Sequence, residues 1–262
     1  MKFCNDEVIA VLEVRNGCWN LRRTLKYNTH FVSLDTYKLF SSKYKAPIII
    51  VTESPHIEEF NNVQIVDLVL GTLVEARPVN GKTGANIMTY LVELLKSEGL
   101  HFDDGNYPVI VINAIQEQCS LGEDTKLYRT ENFITRWENN RHILQSRLSS
   151  IIPILTINAC TAGDFYIKDG ESAFQQNNRS IFEQHFLNLI ENKIGYKTHH
   201  NNTYKNKIEM HGSIDLAGMV MSIIKNVYSS TCRIEKTTHP SFWSNTAPKF
   251  QRKNGNTFTL YK

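Results

Sequence analysis

Apolar runs and helix-like spacings alternate through the middle of this chain. Largely apolar runs predict buried strands from Ala46 to Val51, from Val109 to Ile115 and from Ile154 to Ala159. After Thr83, and again from Ile134 to Ile152, apolar residues recur every three or four positions, which predicts two helices. Strands and helices in alternation are typical of a parallel sheet covered by helices.

The last third of the chain is less regular. We predict a mostly helical segment from Ser172 to Ile194 and a polar, basic loop from Lys197 to Lys207. A further helix from Ile214 to Val227 and a short strand from Arg233 to Thr238 follow, and this strand leads to His239. The part of the chain before the first predicted strand gives no clear assignment.

These elements predict one α/β domain over residues 1–262. The expected architecture is a three-layer αβα arrangement around a central, mostly parallel sheet of about four strands, with a partly helical insertion at residues 163–236. The composition, with 41% hydrophobic and 21% charged residues, is that of an ordinary globular protein. No apolar run approaches the roughly 18 residues that a membrane span needs, so we expect a soluble, cytoplasmic protein. We also expect a monomer.

Charge and cysteine content narrow the possible partners only slightly. Lysine and arginine number 29 against 26 aspartate and glutamate residues, a net charge of +3, so affinity for nucleic acid must come from local basic clusters. The five cysteines are widely spaced and include no C-x-x-C pair. This usage favours reduced intracellular thiols over a disulfide framework or a zinc site.

Candidate catalytic residues stand where three predicted strands end. Glu53, Ser54 and His56 follow the first strand, Asn113 follows the apolar run of the second, and His239 follows the last. In open α/β sheets the ligand crevice lies just past the carboxyl ends of the strands. A carboxylate, an amide and an imidazole are therefore expected to meet in one pocket.

Four segments, in the same order, resemble motifs of the uracil-DNA glycosylase superfamily. In the thermophile-type branch of that family the motifs read G-E-A-P-G, G-R-P-F-V-G-R-A-G, L-L-L-N-A-V and H-P-S. Their counterparts here are Glu53-Ser54-Pro55, Ala76 to Gly84, Val109 to Ile115 and His239-Pro240-Ser241. The resemblance covers roughly residues 46–162 and 237–243, and residues 163–236 fall outside it.

The resemblance implies a monofunctional DNA glycosylase, which hydrolyses the bond between a flipped base and its deoxyribose and leaves an abasic site. His239 would stabilise the departing base anion, and Glu53 would orient or activate the attacking water. Ser54 stands directly before the proline, as the catalytic residue does in other branches, and is the alternative for that second role. Asn113 would read the edge of the extruded base. No cofactor or metal is expected, because Cys119 is without the other cysteines of that branch's iron–sulfur cluster.

Two departures from the family's motifs bear on the identity of the base. Val79, which follows Pro78, stands where the family stacks a phenylalanine on uracil. His56 replaces the glycine or tyrosine that lies beside the base's fifth carbon. Less stacking and more room make a bulkier pyrimidine, such as a hypermodified phage base, an alternative to uracil. The biological role would be either uracil repair or antiviral defence by attack on modified foreign DNA.

Contacts to DNA are expected from basic and aromatic residues near these motifs. Arg77 and Lys82, with Ser241 beside them, would bind phosphates of a duplex or of a single strand with an extruded base. Phe242 and Trp243 follow His-Pro-Ser, where a bulky apolar side chain would fill the gap that the extruded base leaves.

Two other interpretations stay open. Ala76 to Thr83 also resembles a P-loop, G-x-x-x-x-G-K-[ST], with alanine in place of the first glycine, and a P-loop would make the protein a nucleotide phosphohydrolase. The serine at position 54 would also permit a catalytically inactive glycosylase fold that binds DNA without cutting it.

Overall fold

The computed structural model describes most of the chain. It covers residues 3–24, 30–34, 38, 41–60, 65–67, 73–74, 79, 81–120, 129–168, 196–204, 207–254 and 257–259. The strands are β1 (Glu7–Arg15), β2 (Cys18–Arg23), β3 (His30–Ser33), β4 (Ile48–Thr52), β5 (Ile65–Asp67), β6 (Leu73–Val74), β7 (Gly105–Asn113), β8 (Leu155–Asn158), β9 (Gly163–Lys168), β10 (Tyr196–Tyr204), β11 (Lys207–Ile214), β12 (Arg233–Lys236), β13 (Arg252–Asn254) and β14 (Thr257–Thr259). The helices are α1 (Lys82–Ser97), α2 (Arg129–Ser149) and α3 (Leu216–Tyr228).

The central part of the main sheet is parallel. β12, β8, β4 and β7 lie side by side in that order, and each pair runs in the same direction. All five residues of β4 are buried, as expected of a strand covered on both faces. These four strands correspond to the four predicted from the sequence, so the prediction of an α/β fold with a parallel centre is confirmed.

The main sheet is larger than the expected four strands. It contains nine strands in the described residues, with β3, β5 and β6 continuing it beyond β1. The N-terminal segment causes the difference, because β1 pairs antiparallel with β7, β2 and β3. Residues Val8 to Leu12 are all apolar, and such a run is typical of a buried strand, so the sequence itself indicated β1.

The helices contact the sheet through two separate hydrophobic clusters. Alternate residues of a strand point to opposite faces, so Ile49 and Val51 belong to one cluster and Ile48 and Ile50 to the other. The first cluster includes apolar side chains of α2 and α3, and the second includes those of α1. In the described part of the chain, no helix combines the length and the apolar character needed to cross a membrane.

Residues 163–236 divide between the main fold and a small separate sheet. β9, β10 and β11 form a three-stranded sheet in the order β10-β11-β9. By contrast, α3 packs into the first hydrophobic cluster and β12 extends the main sheet next to β8. The core of the domain therefore resumes where α3 begins.

One prediction in this region is wrong and another lies outside the described residues. The polar segment from Lys197 to Lys207, predicted as a loop, contains β10 and the start of β11, which pair antiparallel from Tyr196↔Ile214 to Tyr204↔Lys207. Backbone pairing holds such a ribbon without an apolar run, so hydrophobic periodicity does not detect it. The helix predicted from Ser172 to Ile194 falls in residues that the structure does not describe.

Candidate active site

A cavity of about 530 Å³ lies just past the carboxyl ends of three parallel strands. Glu53 follows β4, Thr161 lies beyond the end of β8, and His239 lies beyond the end of β12; all three line the cavity. The volume falls within the range of about 300–1,000 Å³ that is usual for small-molecule sites. The sequence prediction that a carboxylate and an imidazole meet at this edge of the sheet is thus confirmed.

Glu53 is a buried carboxylate with three donors around it. Its side chain is 4% exposed and forms an ion pair with Arg129, whose Nη1 lies 3.2 Å from Oε1. The hydroxyl of Thr161 donates to Oε1 at 3.1 Å, and the Thr161 backbone N–H donates to Oε2 at 3.3 Å. Burial raises the pKa of Glu53, but His239, Arg129 and these hydrogen bonds outweigh it and hold the pKa below its ordinary value. The carboxyl is therefore ionised at neutral pH.

His239 is held in one orientation by the turn that follows it. The 3-10 turn Pro240–Phe242 begins directly after this residue, and the Ser241 backbone N–H donates to Nδ1 of the ring at 3.2 Å. Asn86 of α1 fixes the turn from the other side, donating from Nδ2 to the Pro240 carbonyl at 2.8 Å. Because Nδ1 accepts a hydrogen bond, the proton of a neutral ring lies on Nε2.

The imidazole of His239 and the carboxylate of Glu53 lie close together in the cavity. Nε2 of His239 lies 3.9 Å from Oε2 of Glu53, which is too long for a direct hydrogen bond. Burial lowers the pKa of His239, and the positive charge of Arg129 acts in the same direction while Glu53 opposes it. We take the ring as neutral at pH 7, because burial is the largest of these effects. The site thus pairs an anionic carboxylate with a neutral imidazole that can donate from Nε2.

Arg129 is a site residue that the sequence analysis missed. It belongs to α2, lines the cavity, and donates to Glu53 and, from Nη2, to the Ala162 carbonyl at 3.3 Å. The apolar spacing placed the start of this helix at Ile134, so Arg129 fell outside the predicted helix and belonged to no recognised motif.

Asn113 does not line the cavity, contrary to expectation. Its neighbour in register on β4 is Thr52, which does line the cavity and donates from Oγ1 to Oδ1 of Asn113 at 2.7 Å. Both side chains are buried, and Nδ2 of Asn113 has no hydrogen-bond partner among the described residues. Asn113 is therefore bonded to a cavity-lining residue of the neighbouring strand and does not line the cavity itself.

Val79 has an unusual backbone conformation at the cavity wall. Its φ is +54°, a left-handed value that a β-branched residue rarely adopts, and its side chain is 7% exposed. A Cβ on Gly84 would lie 2.0 Å from the Val79 carbonyl oxygen, so only glycine fits in this first turn of α1. Pro78 and Arg77, the predicted neighbours in this motif, lie outside the described residues.

The two aromatic residues after His-Pro-Ser have different positions. Phe242 is 54% exposed and lines the cavity, so it is available to contact DNA. Trp243 is 1% exposed, belongs to the hydrophobic cluster around α1, and donates from Nε1 to the Thr238 carbonyl at 2.9 Å. The prediction of a DNA-contacting role is wrong for Trp243, because the ring is core and holds the turn in place.

The remaining predicted site residues lie at the cavity. His56, Lys82 and Ser241 line it, and Lys82 is exposed at the start of α1. Ser54 also lines it, and its hydroxyl oxygen is buried beside the Cys119 thiol without a hydrogen bond of ordinary geometry. Among the described residues, no group of three or more His, Cys, Asp or Glu side chains is arranged to hold a metal ion.

Comparison with protein-family models, with curated proteins and with solved structures gives no match for this chain. The function of the cavity therefore has to follow from its own residues.

Proposed function

We propose that this protein is a monofunctional DNA glycosylase of the type that the uracil-DNA glycosylase superfamily represents. The observation that supports this most is the pairing of Glu53 with His239, 3.9 Å apart, in one cavity at the carboxyl ends of parallel strands. An anion and a neutral donor side by side suit a reaction that develops a sugar cation and a base anion.

Glu53 serves the sugar side of this reaction. As the C1′–N bond breaks, the bonding electrons leave with the base, and water adds to C1′. Because Arg129 and Thr161 hold the pKa of Glu53 low, the carboxylate is a weak base, so its main effect is to orient the water and stabilise the cationic sugar. It takes the proton that the water releases once the new C–O bond has formed. Ser54 provides only a hydroxyl beside it and is the weaker candidate for this role.

His239 serves the base side. A neutral ring with its proton on Nε2 donates to the base oxygen on which negative charge accumulates. Donation from a neutral imidazole does not require transfer of the proton, so the base leaves as an anion and is protonated later by solvent. The Ser241 N–H at Nδ1 is what keeps this tautomer in place.

The fold and the cavity rim agree with a DNA substrate. Helices on both hydrophobic clusters of the sheet support the finer assignment of a three-layer αβα fold. Phe242 is exposed next to the cavity, where it would fill the gap left by the extruded base. Lys82 at the start of α1 would contact a phosphate. We propose that the protein acts as a cytoplasmic monomer.

The base remains either uracil or a bulkier pyrimidine. Val79 in place of a stacking phenylalanine leaves more room, and of the bonded pair Thr52 and Asn113 only Thr52 lines the cavity. Either uracil repair or defence against modified foreign DNA is consistent with this pocket.

A base-release assay tests the proposal. Duplexes with a single uracil, hydroxymethylated or glucosylated pyrimidine are incubated with the protein, and abasic sites are revealed by alkaline cleavage. We expect release from at least one duplex, and loss of release in Glu53→Gln and His239→Ala. Tight DNA binding without release from any duplex would favour the inactive scaffold.

The P-loop interpretation is the second candidate, and one observation favours it: α1 begins at Lys82, as a helix after a P-loop would. Against it, the preceding strand β6 has two residues and lies at the end of the sheet. Magnesium-dependent ATP hydrolysis by the purified protein would support this alternative.

A further inference from the structure

A second carboxyl group lines the cavity, and the proposed reaction does not use it. Glu59 lies in the 3-10 turn Ile57–Phe60, and its backbone N–H donates to the His56 carbonyl at 3.0 Å. Its side chain lines the same cavity as Glu53 and His239. Within the described residues it forms a hydrogen bond with neither of them, so it is separate from the catalytic pair.

The surroundings of Glu59 keep its carboxyl neutral. Burial raises its pKa to about 8, and the nearby charge of Glu7 acts in the same direction. The backbone N–H of Val79 donates to this carboxyl, and the Cys4 thiol donates to Oε2 with a sulfur–oxygen distance of 3.7 Å. These neighbours are donors, so the O–H of the neutral acid is left to donate elsewhere.

The Val79 contact indicates that the position of Glu59 is built into the loop. Val79 holds a left-handed φ of +54° while its N–H bonds Glu59 and its carbonyl packs against Gly84. Residues in such conformations persist only where the surroundings fix them, and they are concentrated at functional sites. The strained residue thus connects the start of α1 to the second carboxyl of the cavity.

We propose that Glu59 determines which base is accepted, by donating a hydrogen bond from its carboxyl group to an uncharged hydroxyl oxygen carried by the extruded pyrimidine. The inference rests on the proposed glycosylase function and specifies its substrate class, a hydroxylated pyrimidine. A cavity of about 530 Å³ has the size of sites for ligands larger than a bare base ring. A neutral acid matches an uncharged hydroxyl, because it can donate to the oxygen and accept from its O–H, whereas an anionic carboxylate can only accept.

Equilibrium binding on a slow background tests this proposal. Glu53→Gln slows base release enough for binding to be measured, and to it are added Glu59→Gln, Glu59→Ala or, as a matched control on the exposed face of α1, Glu93→Gln. Fluorescence anisotropy at pH 6.5 measures the affinity for duplexes with one uracil or one 5-hydroxymethyluracil. Thermal unfolding followed by circular dichroism verifies that each variant is folded.

We expect the background and the Glu93→Gln control to prefer the hydroxymethyl duplex roughly tenfold at pH 6.5, where the Glu59 carboxyl is neutral. Glu59→Gln should keep the preference, because its amide still donates, and Glu59→Ala should show none. A preference that survives in Glu59→Ala overturns the proposal.

Base release by the wild-type protein from the same duplexes separates the two hypotheses. A Glu59-dependent binding preference without base release by the wild type contradicts the glycosylase function and leaves a hydroxyl-binding site. Base release that is indifferent to Glu59→Gln and Glu59→Ala contradicts the role of Glu59 and leaves the glycosylase function in place.

Discussion

The Val79 carbonyl oxygen approaches Gly84 so closely that a Cβ on the glycine would lie 2.0 Å from it. The contact joins a strained loop residue to the first turn of α1, and both Val79 and the start of α1 line the cavity. The shape of this side of the cavity therefore depends on a glycine at position 84, because any other residue would bring a Cβ into the contact.

Gly84→Ala should damage the site more than the fold. The added methyl must displace Val79, which holds Glu59 through its N–H, so we expect at least tenfold weaker DNA binding or base release. Overpacking of this kind costs about 1–3 kcal/mol of unfolding free energy. Chemical denaturation and single-turnover kinetics measure the two effects. Wild-type activity in this variant would show that the close approach has no functional importance.

Arg129→Gln should shift the pH dependence of activity. Arg129 lowers the pKa of Glu53, so its removal raises that pKa, and the acidic limb of the rate profile moves to higher pH. Arg129→Lys, which keeps the charge, should restore much of the wild-type profile. Arg136→Gln is the control, since Arg136 pairs with Glu117 and does not line the cavity. Equal profiles for Arg129→Gln and Arg136→Gln would contradict this role.

Phe242→Ala and Trp243→Ala should have opposite consequences. Phe242 is 54% exposed, so its truncation should change stability by less than about 0.5 kcal/mol while it weakens binding to DNA. Trp243 is 1% exposed, and its truncation should cost about 3–5 kcal/mol of unfolding free energy. Urea denaturation and DNA-binding titrations on both variants measure this. Destabilisation by Phe242→Ala alone would mean that the two positions are assigned wrongly.

Stability should fall as the pH rises from about 6.5 to 8.5. The folded-state pKa of Glu59 is about 8, above the ordinary 4.5, so its contribution is complete below pH 4.5 and is lost as the pH rises through about 8. Asp6 has the same sign, but its folded pKa of about 6 places its effect at lower pH. Glu59→Gln should flatten the unfolding free energy between pH 6.5 and 8.5, measured in urea. An unchanged slope would show that Glu59 is ionised at neutral pH.

Apolar runs predicted the parallel centre of the sheet because buried strands need continuous apolar residues. β4 and β7 are the clearest cases, and the residue after the first of them, Glu53, reached the cavity as predicted. The hairpin of β10 and β11 was not predicted, because its sequence is polar and its two strands are joined by backbone hydrogen bonds.

Within the site, the order of the motifs along the chain identified Glu53 and His239, whereas the residues that contact them could be found only in the structure. Arg129 and Thr161 reach Glu53 from distant segments and have no motif of their own. Asn113 illustrates the converse, because its position at the strand end was right and only the structure reveals that it bonds Thr52 and does not line the cavity. The hydrophobic pattern of a strand predicts which face of the sheet a residue belongs to, but not which neighbouring side chain it contacts.

Single-turnover base release by Glu53→Gln and His239→Ala tests whether these two residues carry the reaction. Glu93→Gln and His101→Ala, two exposed positions outside the cavity, serve as matched controls. We predict that the wild type and both controls release a pyrimidine and leave an abasic site. Each site variant should be slower by about 10²–10³-fold while it remains folded. Base release at the wild-type rate by either site variant would rule out a catalytic role for the replaced residue.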